Sequence, residues 1–468
     1  MKRSRGEGCA SSEEVQALSV AIIGGGLGGL AAAVALQQLG LKRVVVYERD
    51  EYFGDRKQGY GLTLTNNPKG PLAKLGLLEA CIKQDCASMC HWVFAPSGRV
   101  LGYYGRDFTP STPSSVSASS SSRGNLRIPR QDLRQLLLDK LEPGTVVWGS
   151  RLVDYEEDEA GVRINFEGQE QGTDKNRFDV LVASDGIRSS VRLQRDARMK
   201  AANTMRYVGV AVILGISPAQ HMLVHRQGFY VLDGQHRLFT MPFREGQTMW
   251  QLSFSGLAES EAASIRTMTP SELLAEALRR THGWLEPVAA LIAQTPEREV
   301  WGTPLFDRDP MVVAKDKHFF SRVTCLGDAC HPMSMFKGQG ANQALEDGPL
   351  LAHWLAGGPS KAKRRAANSA ADGGAEKALP LSRDALLTRL RCFEREMVSR
   401  TTVKVRASRQ AADLLHSPAA LCEPFGFEGV SAKVASAFLA RLAEASIGAA
   451  SASSLVERVK NVLHEFIP

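Results

Sequence analysis

The feature that most constrains the fold of this chain is the sequence GGGLGG at residues 24–29. It lies between a short apolar stretch, residues 19–23, and a stretch with apolar side chains at every helical turn, residues 27–39. A second apolar stretch with β-branched side chains follows at residues 44–47. This order predicts a strand, a tight turn, a helix and a second parallel strand, which is the first unit of a doubly wound α/β sheet.

The spacing of these glycines also predicts a binding site, because it satisfies the pattern G-x-G-x-x-G. In that pattern Gly24 forms the tight turn, Gly26 lets the backbone approach a pyrophosphate, and Gly29 lets the helix pack closely on the strand. The free N–H groups at the helix N-terminus favour the phosphate charge. Glu48 ends the next strand, 24 residues after Gly24, and can accept hydrogen bonds from a ribose. The motif predicts a dinucleotide but does not by itself separate FAD from NAD.

Two later segments favour FAD. The sequence CLGDACHP around Asp328 follows a predicted strand, and GQGAN around Gly340 precedes a predicted helix. A short acid at a strand end can hold a ribityl hydroxyl. A helix N-terminus can face the negative charge that an isoalloxazine ring gains on reduction. A third segment ends another predicted strand with Asp185-Gly186, which on its own is an ordinary turn.

Apolar periodicity and turn residues predict the remaining elements. From residue 208 to 255 apolar runs alternate with turn signals such as Asp233-Gly234 and Glu245-Gly246, which predicts a multistranded antiparallel sheet. Further strands are predicted at residues 178–183 and 323–326, and helices at residues 71–82, 131–141, 343–355, 382–409 and 454–466. Ser382 and the capping box formed by Ser454 and Glu457 are the predicted starts of the last two helices.

These elements predict an α/β fold: a Rossmann-like FAD-binding domain interleaved with an antiparallel-sheet substrate domain and followed by a helical C-terminal region. The predicted segments are a disordered tail at 1–18, FAD-binding parts at 19–190 and 311–356, a mainly substrate-binding part at 191–310, a flexible loop at 357–377 and C-terminal helices at 378–468. The Ser-rich stretch 109–122 and the loop 357–377 have too few apolar residues to offset the entropy of ordering. We expect both to be mobile and dispensable for flavin binding.

The three motifs occur in the order found in class A flavoprotein monooxygenases, the family that includes p-hydroxybenzoate hydroxylase and kynurenine monooxygenase. The chain resembles this family over residues 18–355, and weakly to residue 409. Its segment IPRQDL is similar to the one whose arginine contacts the ribityl and phosphate region of the flavin, which assigns that contact to Arg130. Cys330 and Met335 depart from the usual Ala and Pro of the Gly-Asp segment, and Met335 lies where the flavin face is expected.

The resemblance implies an FAD-dependent monooxygenase that consumes NADH or NADPH and dioxygen. One oxygen atom would pass from a C4a-hydroperoxyflavin to a small organic, ring-containing substrate, so that no protein nucleophile is required. Only one complete dinucleotide fingerprint is visible, so the nicotinamide cofactor is expected to bind transiently. The residues predicted to bind FAD are Gly24, Gly26, Leu27, Gly29, Glu48, Arg49, Arg130, Asp185, Gly186, Asp328, Pro332, Gly340, Ala341 and Asn342.

The substrate side is less clearly marked in the sequence. The predicted sheet at residues 208–255 should form one wall of the pocket, and it carries His221, His225, Tyr230, His236 and Arg237. A phenolic substrate needs a base or hydrogen-bond acceptor for its hydroxyl. His225 and Tyr230 are therefore the candidate residues, although each type is also common as an ordinary strand residue.

Several alternatives can be weighed. Flavin-dependent halogenases carry W-x-W-x-I-P, and no two tryptophans of this chain are two residues apart. Disulfide reductases need a redox-active cysteine pair after the fingerprint, and no C-x-x-C occurs. A non-catalytic FAD-binding protein would keep the adenine half of the site without a productive ring pocket. The intact Gly-Asp segment argues against that alternative, which stays open together with a different flavin-dependent oxidoreductase.

Composition limits the partners. The 57 Lys and Arg exceed the 50 Asp and Glu by seven, which favours anionic ligands but does not indicate nucleic acid. Cys81, Cys86, Cys90 and His91 form the one group with metal-ligand residue types, and we interpret them as buried side chains and expect no metal. The longest apolar run, residues 20–36, is shorter than the roughly 20 residues that span a bilayer. Unpaired-looking cysteines and a tail unlike a signal peptide favour a cytoplasmic location.

Overall fold

A computed structural model of the chain describes residues 15–55, 59–88, 90–105, 124–168, 176–199, 205–310, 321–358 and 381–421. The strands within these residues are β1 (Ser19–Ile23), β2 (Arg43–Tyr47), β3 (Gly61–Thr65), β4 (Cys90–Phe94), β5 (Val100–Gly105), β6 (Asn125–Pro129), β7 (Val146–Val147), β8 (Leu152–Glu157), β9 (Val162–Phe166), β10 (Arg177–Phe178), β11 (Val180–Ala183), β12 (Met205–Ser217), β13 (Gly228–Leu232), β14 (His236–Arg244), β15 (Gln247–Ser255), β16 (Val300–Arg308) and β17 (Val323–Cys325). The α-helices are α1 (Leu27–Gln38), α2 (Pro71–Lys74), α3 (Leu78–Lys83), α4 (Arg130–Leu138), α5 (Ser190–Arg198), α6 (Glu259–Ser264), α7 (Pro270–Arg280), α8 (Val288–Ala293), α9 (Gly340–Leu355) and α10 (Arg383–Leu415).

Several predicted segments lie outside the described residues. They are most of the tail 1–18, the Ser-rich stretch 109–122, most of the loop 357–377 and the predicted helix 454–466.

The first large sheet consists of five parallel strands in the order β17-β11-β1-β2-β7. All five residues of β1 are buried, as expected for a parallel strand that is covered on both faces. The register places Ile23 beside Ala183 and Ala183 beside Cys325, so these three strands end at the same edge. Ligands of open parallel sheets bind outside this carboxyl edge. The three motifs follow β1, β11 and β17, and therefore meet there.

The second large sheet has seven strands in the order β16-β12-β15-β14-β13-β4-β5. Strands β12 to β16 pair antiparallel, which confirms the sheet predicted for residues 208–255. Two further strands come from earlier in the chain, because β4 pairs parallel with β13 and antiparallel with β5. The chain therefore also enters this sheet at residues 90–105, inside the segment that we predicted to belong to the FAD-binding domain.

The single helix predicted for residues 71–82 was wrong in detail, because the structure has the two short helices α2 and α3 there. Gly76 lies between them with φ +69. The Leu77 N–H donates to the Leu72 carbonyl at 2.7 Å, and the Gly76 N–H donates to the Ala73 carbonyl at 3.0 Å. These bonds form a glycine C-terminal cap, which satisfies the last carbonyls of α2 and turns the chain out of the helix.

Helix α10 packs against both domains. The Ser382 hydroxyl accepts a hydrogen bond from the Ala385 N–H at 3.3 Å, as expected for the predicted cap. Leu390 and Phe393 near its start belong to the apolar core around β1, whereas Leu415 at its end packs in the core of the seven-stranded sheet. The helix therefore continues beyond residue 409, where we predicted its end.

Among the helices that the structure describes, none is both long and apolar enough to cross a bilayer.

Helices α1 and α9 pack with their backbones in direct contact. A Cβ atom placed on Gly348 of α9 would lie 2.6 Å from both the carbonyl carbon and the carbonyl oxygen of Ala31 in α1. No side chain fits at that distance. The contact keeps the start of α9 close to the glycine-rich turn that precedes α1.

We expect Gly348→Ala to destabilise the protein, although alanine favours a helix over glycine by about 1 kcal/mol. The added methyl group must push two backbones apart, and overpacking of this kind costs roughly 1–3 kcal/mol. The variant should unfold at a lower urea concentration than the wild type. Gly124→Ala is the matched control, because a Cβ atom there meets nothing within 4 Å. Equal urea midpoints for the two variants would contradict the close packing of α1 and α9.

Candidate active site

One cavity of about 1580 Å³ lies between the carboxyl edge of the parallel sheet and the seven-stranded sheet. The glycine-rich turn, Gly186, Asp328 and the start of α9 line one side. Residues of β12 to β16 and the second half of α10 line the other. Motifs that are more than 300 residues apart in the sequence thus share one space, which has the form of a cofactor site with an adjoining substrate pocket.

The glycine-rich turn contains two kinds of glycine. Gly24 has φ +107, and a Cβ atom on it would lie 2.5 Å from the Ser184 carbonyl oxygen. A Cβ atom on Gly29 would overlap the Gly24 carbonyl oxygen. Beside Gly26, in contrast, the nearest atom is Arg130 Nη2 at 3.8 Å. The space next to Gly26 is therefore open to the cavity and has room for a pyrophosphate.

The acid at the end of β2 contacts the same turn. Glu48 is buried, and its Oε2 accepts a hydrogen bond from the Gly25 N–H at 2.6 Å. Its Oε1 accepts one from the Asp50 N–H at 3.1 Å. The neighbouring Arg49 is exposed and is not among the residues that line the cavity. Glu48 therefore lies against the turn and Arg49 does not, and Glu48 too is outside the residues that line the cavity.

Arg130 supplies a positive charge beside the glycine-rich turn. It is the first residue of α4, and its backbone N–H donates to the Tyr60 carbonyl at 2.9 Å. Its Nη1 donates to the Tyr60 hydroxyl at 3.2 Å, and the guanidinium lies 5.4 Å from the centre of that ring. The side chain is thereby held in the cavity lining between Gly26 and Asp328, as the middle of a dinucleotide requires.

Asp328 lies in a short 3₁₀ turn, Gly327–Ala329, directly after β17. Its side chain is exposed to the cavity although it lies deep in the protein. Burial raises the pKa of this carboxyl, and the charges of His331 and Arg130 partly oppose that rise. A carboxyl group in this position fits a hydroxyl donor such as a ribityl chain.

The two residues of the Asp-Gly motif have different roles. Asp185 Oδ2 accepts hydrogen bonds from the backbone N–H groups of Ser190 at 2.8 Å and Val191 at 3.4 Å, and so holds the start of α5. Gly186 has φ +84 and lines the cavity with its backbone. Asp185 therefore fixes the turn, and Gly186 is the member that a cofactor can approach.

The start of α9 is arranged similarly. Gly340 and Ala341 line the cavity. Asn342 does not: its Nδ2 donates to the carbonyls of Thr63 and Gly338, both at 2.9 Å, and its Oδ1 accepts from the Thr65 N–H at 2.9 Å. Asn342 thus ties β3 to the helix and holds Gly340 in place. Leu27 lines the cavity, whereas Pro332 is outside the lining.

The far end of the cavity is walled by aromatic rings around a buried arginine. The Arg237 guanidinium lies 4.9 Å from the ring centre of Tyr230, 5.0 Å from Phe239 and 5.2 Å from Phe336. His91 stacks on Phe239 with a centroid distance of 5.6 Å. Burial, and then the charges of Arg127 and Arg237, lower the pKa of His91 to about 3, so this imidazole is neutral at physiological pH.

The two substrate-side candidates differ in position. Tyr230 lines the cavity, whereas His225 is exposed and lies outside the lining. Among the described residues, no group of three or more His, Cys, Asp or Glu side chains could hold a metal ion.

Sequence reasoning missed most of the aromatic wall and all of the wall contributed by α10. The second half of α10 lines the cavity with Ala407, Gln410, Ala411 and Leu414. No local signal marks these residues, since an apolar stripe on a helix predicts packing but not the surface against which it packs. Phe336 could have been suspected, because it directly follows the Gly-Asp segment.

Comparison with known proteins identifies the class. A family model described as an FAD binding domain matches residues 17–370, and the chain belongs to this family. It is an FAD-dependent monooxygenase that acts on a small molecule.

Particular relatives are moderately similar. The chain is 30% identical over 343 residues to the 3-amino-4-hydroxybenzoate 2-monooxygenase PtnB3 of Streptomyces platensis, a match that covers 72% of this chain and 79% of the relative. It is 28% identical over 340 residues to the aurachin C monooxygenase/isomerase of Stigmatella aurantiaca, covering 72% and 80%. Among solved structures, Klebsiella pneumoniae HpxO complexed with FAD and uric acid matches with a TM-score of 0.64 and 22% identity, covering 95% of this chain and 97% of that one. This last likeness shows the fold.

The space beside Gly26 allows cofactor binding to be separated from folding. We expect Gly26→Val to fold normally but to bind little FAD, because the side chain occupies the space where the backbone must meet phosphate. Gly29→Val should lose both stability and FAD, since its Cβ atom would overlap the Gly24 carbonyl oxygen. FAD content per chain and the urea midpoint of the cofactor-free proteins distinguish the two. Full FAD content in a folded Gly26→Val protein would show that the pyrophosphate lies elsewhere.

Asp328→Ala should weaken FAD binding without unfolding the protein. A hydrogen bond to a charged group contributes about 1.5–3 kcal/mol, which corresponds to a rise in the FAD dissociation constant of roughly 10- to 150-fold. Titration of the cofactor-free protein with FAD measures this change. Asp139→Ala, at an exposed position after α4, is the control and should leave the constant unchanged. An unaltered constant in Asp328→Ala would remove this carboxyl from the site.

Proposed function

We propose that the protein uses NADH or NADPH to reduce bound FAD and inserts one atom of dioxygen into a small, ring-containing substrate. The observation that carries this proposal is that one continuous cavity runs from Asp328 and the start of α9 to the aromatic wall around Arg237. A cofactor held along the motifs would have its reactive ring next to that wall. The names of curated relatives, which include a 6-hydroxynicotinate 3-monooxygenase, support a ring substrate.

The charge of the cavity supports an electron-rich or anionic ring. Within the lining that the structure describes, cationic side chains outnumber anionic ones. The cations are Arg127, Arg130, Arg188, Arg192, Arg237, Arg266 and Lys337, and the anion is Asp328. Part of this positive charge would neutralise the pyrophosphate of FAD. Arg237 lies among the rings at the substrate end, where it favours a negatively charged group of the substrate.

The protein's own part in the reaction is to bind, orient and exclude water. Bound FAD would supply the electron transfer and the activation of dioxygen. Arg130 and Asp328 would hold the middle of the cofactor, and the N-terminus of α9 would favour negative charge on its pyrimidine edge. The apolar wall formed by Phe239, Phe336 and α10 would keep water from the reacting atoms.

Tyr230 is the proposed hydrogen-bonding partner for the substrate. Its ring forms part of the cavity wall, 4.9 Å from that of Phe239. A phenolic hydroxyl can donate to or accept from a ring hydroxyl of the substrate. His91 remains neutral beside it and adds no competing charge. Tyr230 would therefore orient the ring without itself forming a covalent bond.

We also infer a cytoplasmic location, which is supported by the free thiols of the described cysteines Cys81, Cys86, Cys90, Cys325, Cys330 and Cys392.

Anaerobic mixing of the holoprotein with NADH or NADPH, followed by oxygen labelled with oxygen-18, tests the proposed reaction. We expect the yellow flavin absorbance to bleach, and a ring substrate to accelerate that bleaching. Mass spectrometry should then find one labelled oxygen atom in the product. Label that enters only from oxygen-18 water would indicate a different oxidoreductase. A flavin that neither nicotinamide reduces, with any ring compound present, would favour a non-catalytic FAD-binding role.

A further inference from the structure

Helix α10 places the charged side chain of Arg400 against α9, close to the Gly-Asp segment. Arg400 contacts the carboxylate of Asp347 through Nη2. Its Nη1 donates to Gln343 Oε1 at 2.6 Å. Asp347 and Gln343 both belong to α9, whose first turn lines the cavity. Arg400 therefore joins the C-terminal helix to the helix that begins at the flavin site.

Asp347 extends this contact to the turn that carries Asp328. Its Oδ2 accepts a hydrogen bond from the Gly327 backbone N–H at 2.8 Å and another from His331 Nε2 at 2.7 Å. Gly327 immediately precedes Asp328, and His331 follows three residues later. One carboxylate thus holds the Gly-Asp turn on both sides of Asp328.

The ionised form of Asp347 depends on the hydrogen-bond donors and charges around it. The side chain is fully buried, at 0% exposure, and burial alone raises the pKa of a carboxyl. The charges of His331 and Arg400 and the Gly327 N–H outweigh that effect and hold the pKa of Asp347 below its ordinary value. Without Arg400, Oδ1 of this buried carboxylate would lose its charged partner, so the carboxylate would either ionise less readily or shift its position. Either response changes the acceptor that Gly327 and His331 share.

We propose that Arg400 is a positioning residue for the flavin. Acting through Asp347, it sets the place of Asp328 and of the α9 N-terminus relative to bound FAD. The proposal rests on the placement of FAD along the Gly-Asp segment. Arg400 lies outside residues 17–370, which match the FAD-binding family model. The C-terminal region would therefore complete a site that the matched domain does not hold in place alone.

A second arginine of α10 provides a control that distinguishes an effect on FAD binding from an effect on folding. Arg409 Nε and Nη2 donate to the two carboxylate oxygens of Asp307, both at 2.8 Å. Asp307 lies on β16 and its side chain is also 0% exposed. This pair has the same residue types, the same helix and an equally buried aspartate. Asp307 also faces Arg206 at 3.4 Å, and among the described residues no hydrogen bond joins Arg409 or Asp307 to the Gly-Asp turn. Arg409→Gln is therefore the control for Arg400→Gln.

The test measures FAD affinity and stability in the same full-length variants. We expect Arg400→Gln to raise the FAD dissociation constant of the cofactor-free protein by at least about tenfold, a change of about 1.4 kcal/mol. Arg400→Lys should recover most of the affinity, because an ammonium group can still neutralise Asp347. Arg409→Gln should lower the urea midpoint but leave the dissociation constant within about twofold of the wild type. A dissociation constant for Arg400→Gln as small as that of Arg409→Gln would overturn the proposal.

A double-mutant cycle shows whether Arg400 acts through Asp347. We expect Arg400→Gln to change FAD affinity little in an Asp347→Asn background, so that the two effects are strongly non-additive. Arg400→Gln and Asp347→Asn should also shift the visible spectrum of bound flavin in the same way, and Arg409→Gln should not. Additive effects, or an unchanged spectrum in both variants, would contradict the inference.

The outcome remains decisive if one variant does not fold. Asp347→Asn, compared with Arg409→Gln, then tests the same contact, and unchanged FAD affinity and spectrum in a folded Asp347→Asn protein would refute the proposal. None of these measurements requires turnover. They therefore do not depend on the proposed substrate or nicotinamide specificity. If FAD does not bind along the Gly-Asp segment, Asp328→Ala will show an unchanged FAD dissociation constant.

Discussion

The structure depends on a contact of backbone with backbone at the glycine-rich turn. The Ser184 N–H donates to the Ile23 carbonyl at 2.9 Å, and the Ser184 Oγ lies 2.8 Å from the carbonyl oxygens of both Ile23 and Gly24. Ser184 can approach the turn this closely because Gly24 and Gly29 have no side chains, and a Cβ atom on either would lie 2.5 Å from an oxygen of Ser184. The contact joins the ends of β1 and β11, so the turn that follows each strand opens toward the same space. Gly348 extends the same principle to α9, whose backbone touches that of α1.

Two domains share the resulting cavity because the chain passes between them several times. The seven-stranded sheet takes β4 and β5 from the first part of the chain and its other strands from residues 205–308. Helix α10 then packs on both cores. Its buried ion pairs with Asp347 and Asp307 lie on opposite sides of the domain boundary. Such pairs contribute little net stability, but a buried charge that lacks its partner is strongly destabilising. The two pairs therefore favour one placement of the helix relative to the two sheets.

Electrostatics divides the cavity into two ends. At the motif end, one carboxyl, Asp328, lies near Arg130 and the N-terminus of α9, an arrangement suited to a cofactor with hydroxyl and phosphate groups. At the other end, Arg237 is surrounded by aromatic rings, and burial keeps His91 neutral. A guanidinium group among rings can bind a flat, electron-rich molecule by both charge and stacking. The chemical character of the substrate end thus arises from residues on several strands.

The sequence by itself determined the fold class, the flavin motifs and most of the elements that carry them. Local rules sufficed there, because the spacing of Gly24, Gly26 and Gly29 within one strand, turn and helix is itself the pattern of a dinucleotide site. The same locality explains the antiparallel hairpins at Gly234 and Gly246, both of which have positive φ.

Only the tertiary structure decided which side chains face the cavity. Asp185 and Asn342 belong to the predicted motifs, but their side chains hydrogen-bond to backbone groups of the protein. They therefore hold a turn and a helix in place and do not line the cavity. The α10 wall and the Arg400–Asp347 contact join residues more than 50 positions apart. No pattern within one element encodes such contacts, because they depend on how separately folded surfaces meet. The sequence therefore specifies the parts of the flavin site, and packing between the domains specifies the pocket beside it.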